Sequence, residues 1–126
     1  MKSTVFLVED SRTMRTLVRN VLERDGYEVR ESADGRQALD ALHSIAPDLV
    51  ITDINMPEMD GITLLREIRK LPTLHRTPVL ILTTESDDEV KASARAAGAT
   101  GWIGKPFHPD QLREIVAHVL GKGRPG

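Results

Sequence analysis

Ile51-Thr52-Asp53-Ile54-Asn55-Met56-Pro57-Glu58-Met59-Asp60-Gly61 joins the end of an apolar run to a loop of turn-forming residues. Leu49, Val50 and Ile51 read as a short buried strand, and polarity changes abruptly at Asp53, ahead of Pro57, Asp60 and Gly61. A carboxylate is thereby delivered to the rim of a core. In an open parallel sheet, ligands and chemistry gather at the carboxyl ends of the strands. Taken alone, Asp53 reads more simply as a cap for the loop that follows it.

The flanking sequence repeats the same unit. Thr4-Val5-Phe6-Leu7-Val8 is a β-branched apolar run that stops at Glu9-Asp10, as a central parallel strand would. Ser11 can cap a helix whose Met14, Leu17, Val18, Val21 and Leu22 form one buried stripe, ended by Asp25-Gly26. Tyr27 to Ser32 alternates apolar and charged residues, which suits an edge strand. A second helix is expected from about Gly35 to Ile45, and a third from Ile62 to Leu71. Val79 to Leu82 is a further buried strand ending at Thr83-Thr84, and Ser86-Asp87-Asp88-Glu89 has the capping-box pattern for a weakly apolar fourth helix. A short strand around Trp102-Ile103 stops at Lys105-Pro106, and Pro109 opens a last helix carrying Leu112, Ile115, Val116 and Val119.

Five strands alternating with five helices imply an α/β doubly wound parallel sheet. The edge-like second strand and the very apolar first, third and fourth favour the flavodoxin-like (βα)5 order 2-1-3-4-5. The 126 residues suit one domain, expected over 1–121, with 122–126 as a short basic tail. A hydrophobic share of 40% and a charged share of 29% place the chain among globular proteins, and a formal charge of −2 offers no attraction for nucleic acid. Cysteine is absent, which excludes disulfides and thiolate metal sites. The amino terminus lacks a signal-peptide apolar region and no apolar run could span a bilayer, so a soluble, cytoplasmic protein without membrane contact is expected.

In the order 2-1-3-4-5, Glu9, Asp10, Asp53, Thr83 and Lys105 emerge at one end of the sheet. Two full negative charges about 4 Å apart repel by roughly 4 kcal/mol at an effective dielectric of 20, so a hard divalent cation is the expected neutraliser. Oxygen ligands without His or Cys point to Mg²⁺ or Mn²⁺. A hydroxyl and an ammonium facing such a cation suit phosphoryl oxygens, which leaves Asp53 as nucleophile and an aspartyl phosphate as product. Each residue also has a plainer reading: Lys105 as a solvated surface lysine, Thr83 as a helix cap, Glu9-Asp10 as an acidic helix start. His43, His75, His108 and His118 fall away from the strand ends and read as surface residues.

Glu9-Asp10, the Asp53 strand with its Met-Pro-Glu-Met-Asp-Gly loop, Thr83, and Lys105-Pro106-Phe107 together resemble the receiver domain of two-component response regulators. The resemblance spans Thr4 to about Leu120. Thr83-Thr84-Glu85 and the run from Gly98 to Phe107 are most similar to the stand-alone chemotaxis response regulators. The resemblance implies that Asp53 accepts a phosphoryl group from a histidine kinase. It implies Mg²⁺ on Glu9, Asp10, Asp53 and the Asn55 backbone carbonyl, with Thr83 and Lys105 on the phosphoryl oxygens. It further implies a cis Lys105-Pro106 bond, which sequence alone would have made trans. Thr83 and Trp102 would form the switch, Asn55 and Glu85 would tune phosphoryl lifetime, and a downstream target would dock on the face of helix 4, strand 5 and helix 5. Two departures stand out: Glu9 replaces the usual Asp, and Trp102 the usual Tyr or Phe. A static Trp102 packed on the last helix is the alternative to a moving one.

Other functions on this arrangement include a phosphorelay intermediate or phosphate sink. A Mg-dependent phosphatase passing through an aspartyl phosphate would often carry a second acid two residues after the nucleophile, where this chain has Asn55, which cannot shuttle a proton. The chain is accordingly not expected to act as an enzyme on an external substrate. A flavin site would place phosphate beside Glu9-Asp10, which repel it.

Overall fold

The structure, a computed structural model, describes residues 2–121; the expected tail at 122–126 lies outside them. Its elements run β1 (Thr4–Val8), α1 (Arg12–Arg24), β2 (Glu28–Ser32), α2 (Gly35–Leu42), β3 (Leu49–Thr52), α3 (Gly61–Lys70), β4 (Val79–Thr83), α4 (Asp88–Ala96), β5 (Gly101–Gly104) and α5 (Pro109–Val119). The five strands pair in parallel in the order β2-β1-β3-β4-β5, the flavodoxin-like arrangement. No helix among the described residues is long and apolar enough to cross a membrane.

Successive strand residues point to opposite faces, so each apolar run feeds two cores. Val5, Leu7, Leu49, Ile51, Leu80, Leu82 and Ile103 pack with Val18 and Leu22 of α1 and Leu112 and Val116 of α5. Phe6, Val8, Val50, Val79 and Ile81 pack on the other side with residues of α2, α3 and α4. The two-faced burial explains why β1, β3 and β4 read as unbroken apolar runs.

The sequence expectations need correction in detail. Leu17 does not join the α1 stripe but is 42% exposed, on an open groove that it lines with Pro109 and Arg113 of α5. α2 ends at Leu42, with His43 as its cap, rather than near Ile45. Asp87, not Ser86, caps α4, its side chain accepting from the Glu89 amide at 2.7 Å. His108, read as an ordinary surface residue, caps α5 by accepting from the Asp110 amide.

A half-buried cation braces the far end of the sheet. Arg69 of α3 donates through Nη1 to the Leu74 and Thr77 carbonyls and through Nη2 to the Gly98 carbonyl, at 3.3, 2.6 and 2.7 Å. Burial lowers its pKa from the ordinary arginine value. Gly98 sits at φ +102° just past α4, and a Cβ there would lie 2.8 Å from Arg69 Nε.

Candidate functional site

The strand registers bring the polar ends together. Val8 pairs with Thr52, Thr52 with Ile81, and Thr83 with Gly104, so Glu9, Asp53, Thr83 and Lys105 leave the sheet along one edge. Asp10 follows Glu9 on the β1–α1 loop and is exposed, whereas Glu9, Asp53 and Thr83 are buried. One carboxylate oxygen from each of Glu9, Asp10 and Asp53 lies within 4.8 Å of the others.

Lys105 is the counter-ion of this group, not a solvated surface lysine. Its Nζ donates to Glu9 Oε1 at 2.5 Å and to Asp53 Oδ2 at 2.8 Å, with only 9% of the side chain exposed. Burial works to lower the Lys105 pKa, but hydrogen bonds and charge from Asp53 and Glu9 outweigh it, and the net direction is upward. The Glu9 carboxyl is also pushed up, chiefly by burial, although Lys105 and the Ser11 amide favour its charged form. Lys105 Nζ and the Ser11 amide both donate to Glu9, and these two bonds favour its ionised form.

Asp53 is set by its own loop. Its Oδ1 accepts from the Ile54 amide at 2.6 Å, and its backbone amide donates to the Val8 carbonyl at 3.1 Å. The loop then turns through Glu58, which holds φ +70°, and Asp60 caps α3 by accepting from the Thr63 amide at 2.8 Å. Gly61 closes the loop: its amide donates to the Ile54 carbonyl at 2.8 Å, and any Cβ would fall 2.0 Å from the Asp53 carbonyl oxygen.

The other expected residues are near but differently engaged. Thr83 Oγ1 accepts from the Glu85 amide at 3.2 Å. Asn55 and Glu85 line one crevice of about 320 Å³ with Ile54, Asp60 and Val90. Glu85 Oε1 is turned onto the start of α4, accepting from the Ser86 and Asp87 amides at 3.1 and 3.0 Å. The Lys105-Pro106 peptide is cis. Trp102 is half-buried and packs with the core on the α4 side of the sheet, while Leu112 and Val116 of α5 occupy the opposite core. Lys91 of α4 stands over its ring with Nζ 5.6 Å from the centroid.

A family model of the response regulator receiver domain matches residues 5–117. The chain belongs to this family. The receiver is 40% identical over 119 residues to chemotaxis protein CheY1 of Helicobacter pylori, across 93% of this chain and 96% of that protein. Its backbone superposes on chemotaxis protein CheY4 of Vibrio cholerae with a TM-score of 0.90 at 39% identity, covering 94% and 99% of the two chains. The receiver domain of sensor histidine kinase PA1611 from Pseudomonas aeruginosa PAO1 matches with a TM-score of 0.89 at 29% identity, over 96% of this chain and 99% of that one. That structure has a magnesium ion coordinated in its active-site cleft.

The donor set of this receiver fits the same class of ion. It consists of oxygens alone, carries three acids against one ammonium, and opens to solvent at Asp10. A hard divalent cation would take the excess charge without displacing a nitrogen or sulfur ligand. Sequence reasoning missed two contributors, Gly61 and Arg15, whose guanidinium reaches the carbonyls of Glu9 and Asp10. The Asp-Gly pair before α3 was a visible signal for the first. The second acts on main-chain oxygens, which leave no mark in a sequence.

Proposed function

We propose that this receiver signals by accepting a phosphoryl group on Asp53 from a phosphohistidine of a histidine kinase, and that the change alters its affinity for another protein, in chemotaxis. The observation that carries the reading is the Lys105 ammonium bridging buried Glu9 and Asp53 with Asp10 alongside. In the transfer, the phosphorus–nitrogen bond breaks as a bond forms between phosphorus and an Asp53 oxygen, and the histidine regains a proton from solvent. Mg²⁺ or Mn²⁺, when bound by Glu9, Asp10, Asp53 and the Asn55 carbonyl, supplies charge neutralisation for the acids and the incoming phosphoryl oxygens. Lys105 then exchanges a carboxylate contact for a phosphoryl oxygen. Thr83 turns its hydroxyl from the Glu85 amide toward the same group. Asn55 and Glu85, on one crevice, bear on the path of hydrolytic water.

The test is labelling by a small-molecule phosphodonor across a Mg²⁺ titration. Wild type is expected to label only with the cation, and Asp10→Ala to need severalfold more Mg²⁺ for half-maximal labelling. Identical titration curves would place the cation elsewhere.

The output face is α4, β5 and α5, with Trp102 as its reporter. As the sole tryptophan, it gives an emission that describes this position alone. Drawing Thr83 toward Asp53 opens space beside β5, and the ring leaves Lys91 to occupy it. Emission and quencher accessibility should change on phosphorylation of wild type and stay constant in Asp53→Asn. Unchanged emission in fully phosphorylated wild type would leave Trp102 as packing.

A further inference from the structure

The β1–α1 loop carries two adjacent carboxylates that repel each other and Asp53, so something must hold its main chain against their separation. Arg15, one turn into α1, does this from behind. Its Nη1 donates to the Glu9 carbonyl at 2.7 Å and to the Asp10 carbonyl at 3.2 Å. It thus takes the backbone oxygens of both acids and leaves their side-chain oxygens to face the pocket, where Glu9 meets Lys105 and the Ser11 amide. The guanidinium is itself held from β2, where Glu31 lies 3.7 Å from Arg15 Nε and 3.5 Å from Arg19 Nε. A second tie joins the same strand end, the Glu9 amide donating to the Ser32 carbonyl at 3.1 Å. Only 17% of the Arg15 side chain is exposed, so water competes weakly for its bond to the Glu9 carbonyl.

We infer that Arg15 is a positioning residue for the divalent cation: it fixes the Glu9-Asp10 main chain so that both carboxylates meet Asp53 around one point, and Glu31 fixes Arg15. The inference rests on the proposed metal-dependent phosphorylation, and it adds a residue that touches neither cation nor phosphoryl group. A guanidinium suits the role, because its Nη1 donates to two adjacent carbonyls while its Nε faces the Glu31 carboxylate at ion-pair distance. A lysine at 15 carries its three N–H donors on one nitrogen, which cannot stand at both the Nη1 and the Nε positions.

The test is equilibrium Mn²⁺ binding, read from the electron paramagnetic resonance signal of the free ion, for wild type, Arg15→Gln, Arg15→Lys, Glu31→Gln and the Arg15→Gln/Glu31→Gln pair. Arg15→Gln is expected to weaken binding about tenfold or more, the range for groups that orient metal ligands. Arg15→Lys should fall between it and wild type. Glu31→Gln should weaken binding less, and the double variant should bind no worse than Arg15→Gln, since Glu31 acts through Arg15. At saturating Mg²⁺, phosphodonor labelling of Arg15→Gln should return to within about twofold of wild type, because no group touching the phosphoryl has been removed. Should Arg15→Gln fail to fold, the Arg15→Lys and Glu31→Gln series gives the same ordering. Unchanged Mn²⁺ affinity in the folded Arg15 variants, with wild type binding and Asp10→Ala binding more weakly, overturns this inference alone. Failure of wild type to bind Mn²⁺ overturns the proposed function and this inference with it.

Discussion

Asp53→Asn is expected to abolish phosphodonor labelling, a loss on the order of a thousandfold or more, as for removal of other covalent nucleophiles. The amide keeps the shape of the carboxylate and can still accept from the Ile54 amide through Oδ1, the 2.6 Å contact that sets the side chain. It cannot form the acyl phosphate. The fold should survive, because the substitution removes one of three clustered acids while Lys105 keeps Glu9. Relief of repulsion offsets the lost ion pair, so the thermal midpoint should stay or rise. Intact-mass measurement and a melting curve check both halves. Full labelling of the folded variant would remove Asp53 from the proposed role.

The second large effect concerns a residue with no side chain. Gly61→Ala would put a methyl 2.0 Å from the Asp53 carbonyl oxygen and 2.9 Å from the Asp53 carbonyl carbon and Ile54 Cα. All three are backbone atoms, so relief requires moving α3 away from β3 or displacing Asp53 itself. We expect a loss of roughly 2–4 kcal/mol, at the upper end for overpacking. Labelling should fall at least about tenfold, since displacements near 1 Å at a reacting group are costly. Gly104→Ala is the control: nothing lies within 4 Å of its added Cβ, and about 0.5 kcal/mol or less is expected. If the two variants melt and label alike, the close approach of α3 to Asp53 is not a constraint.

The architecture was legible because burial on both faces turns β1, β3 and β4 into unbroken apolar runs, while β2 alternates. Strand ends were legible for the same reason: the switch from Val8 to Glu9, or from Thr52 to Asp53, marks where the core stops. What periodicity could not show was side chain to main chain bonding. Arg15, Arg69 and Glu85 all spend their polar atoms on backbone groups, Glu85 and Arg15 on nearby loop residues and Arg69 on Gly98 across the fold. The start of α4 was misplaced by one residue because Ser86 and Asp87 are both competent caps, and Glu85 claims the Ser86 and Asp87 amides. Leu17 fits the helical stripe by spacing, yet a stripe is wider than the strip of sheet and helix available to cover it.

The three carbonyls gathered by Arg69 give α4 the mechanics of a cantilever. Its carboxyl end is clamped through Gly98 to α3 and to the turn before β4, whereas its start is held by the short-range caps of Asp87 and Glu85. Any movement of α4 that keeps the clamp is a rotation about that end. Nine residues at about 1.5 Å rise make a lever of about 13 Å. A swing of about 10° thus carries the tip near Asp87 by about 2 Å and leaves Gly98 almost still. The lever's free end is the one beside Thr83, so a small displacement at the strand end is delivered as leverage, with its largest sweep over the first turn of α4.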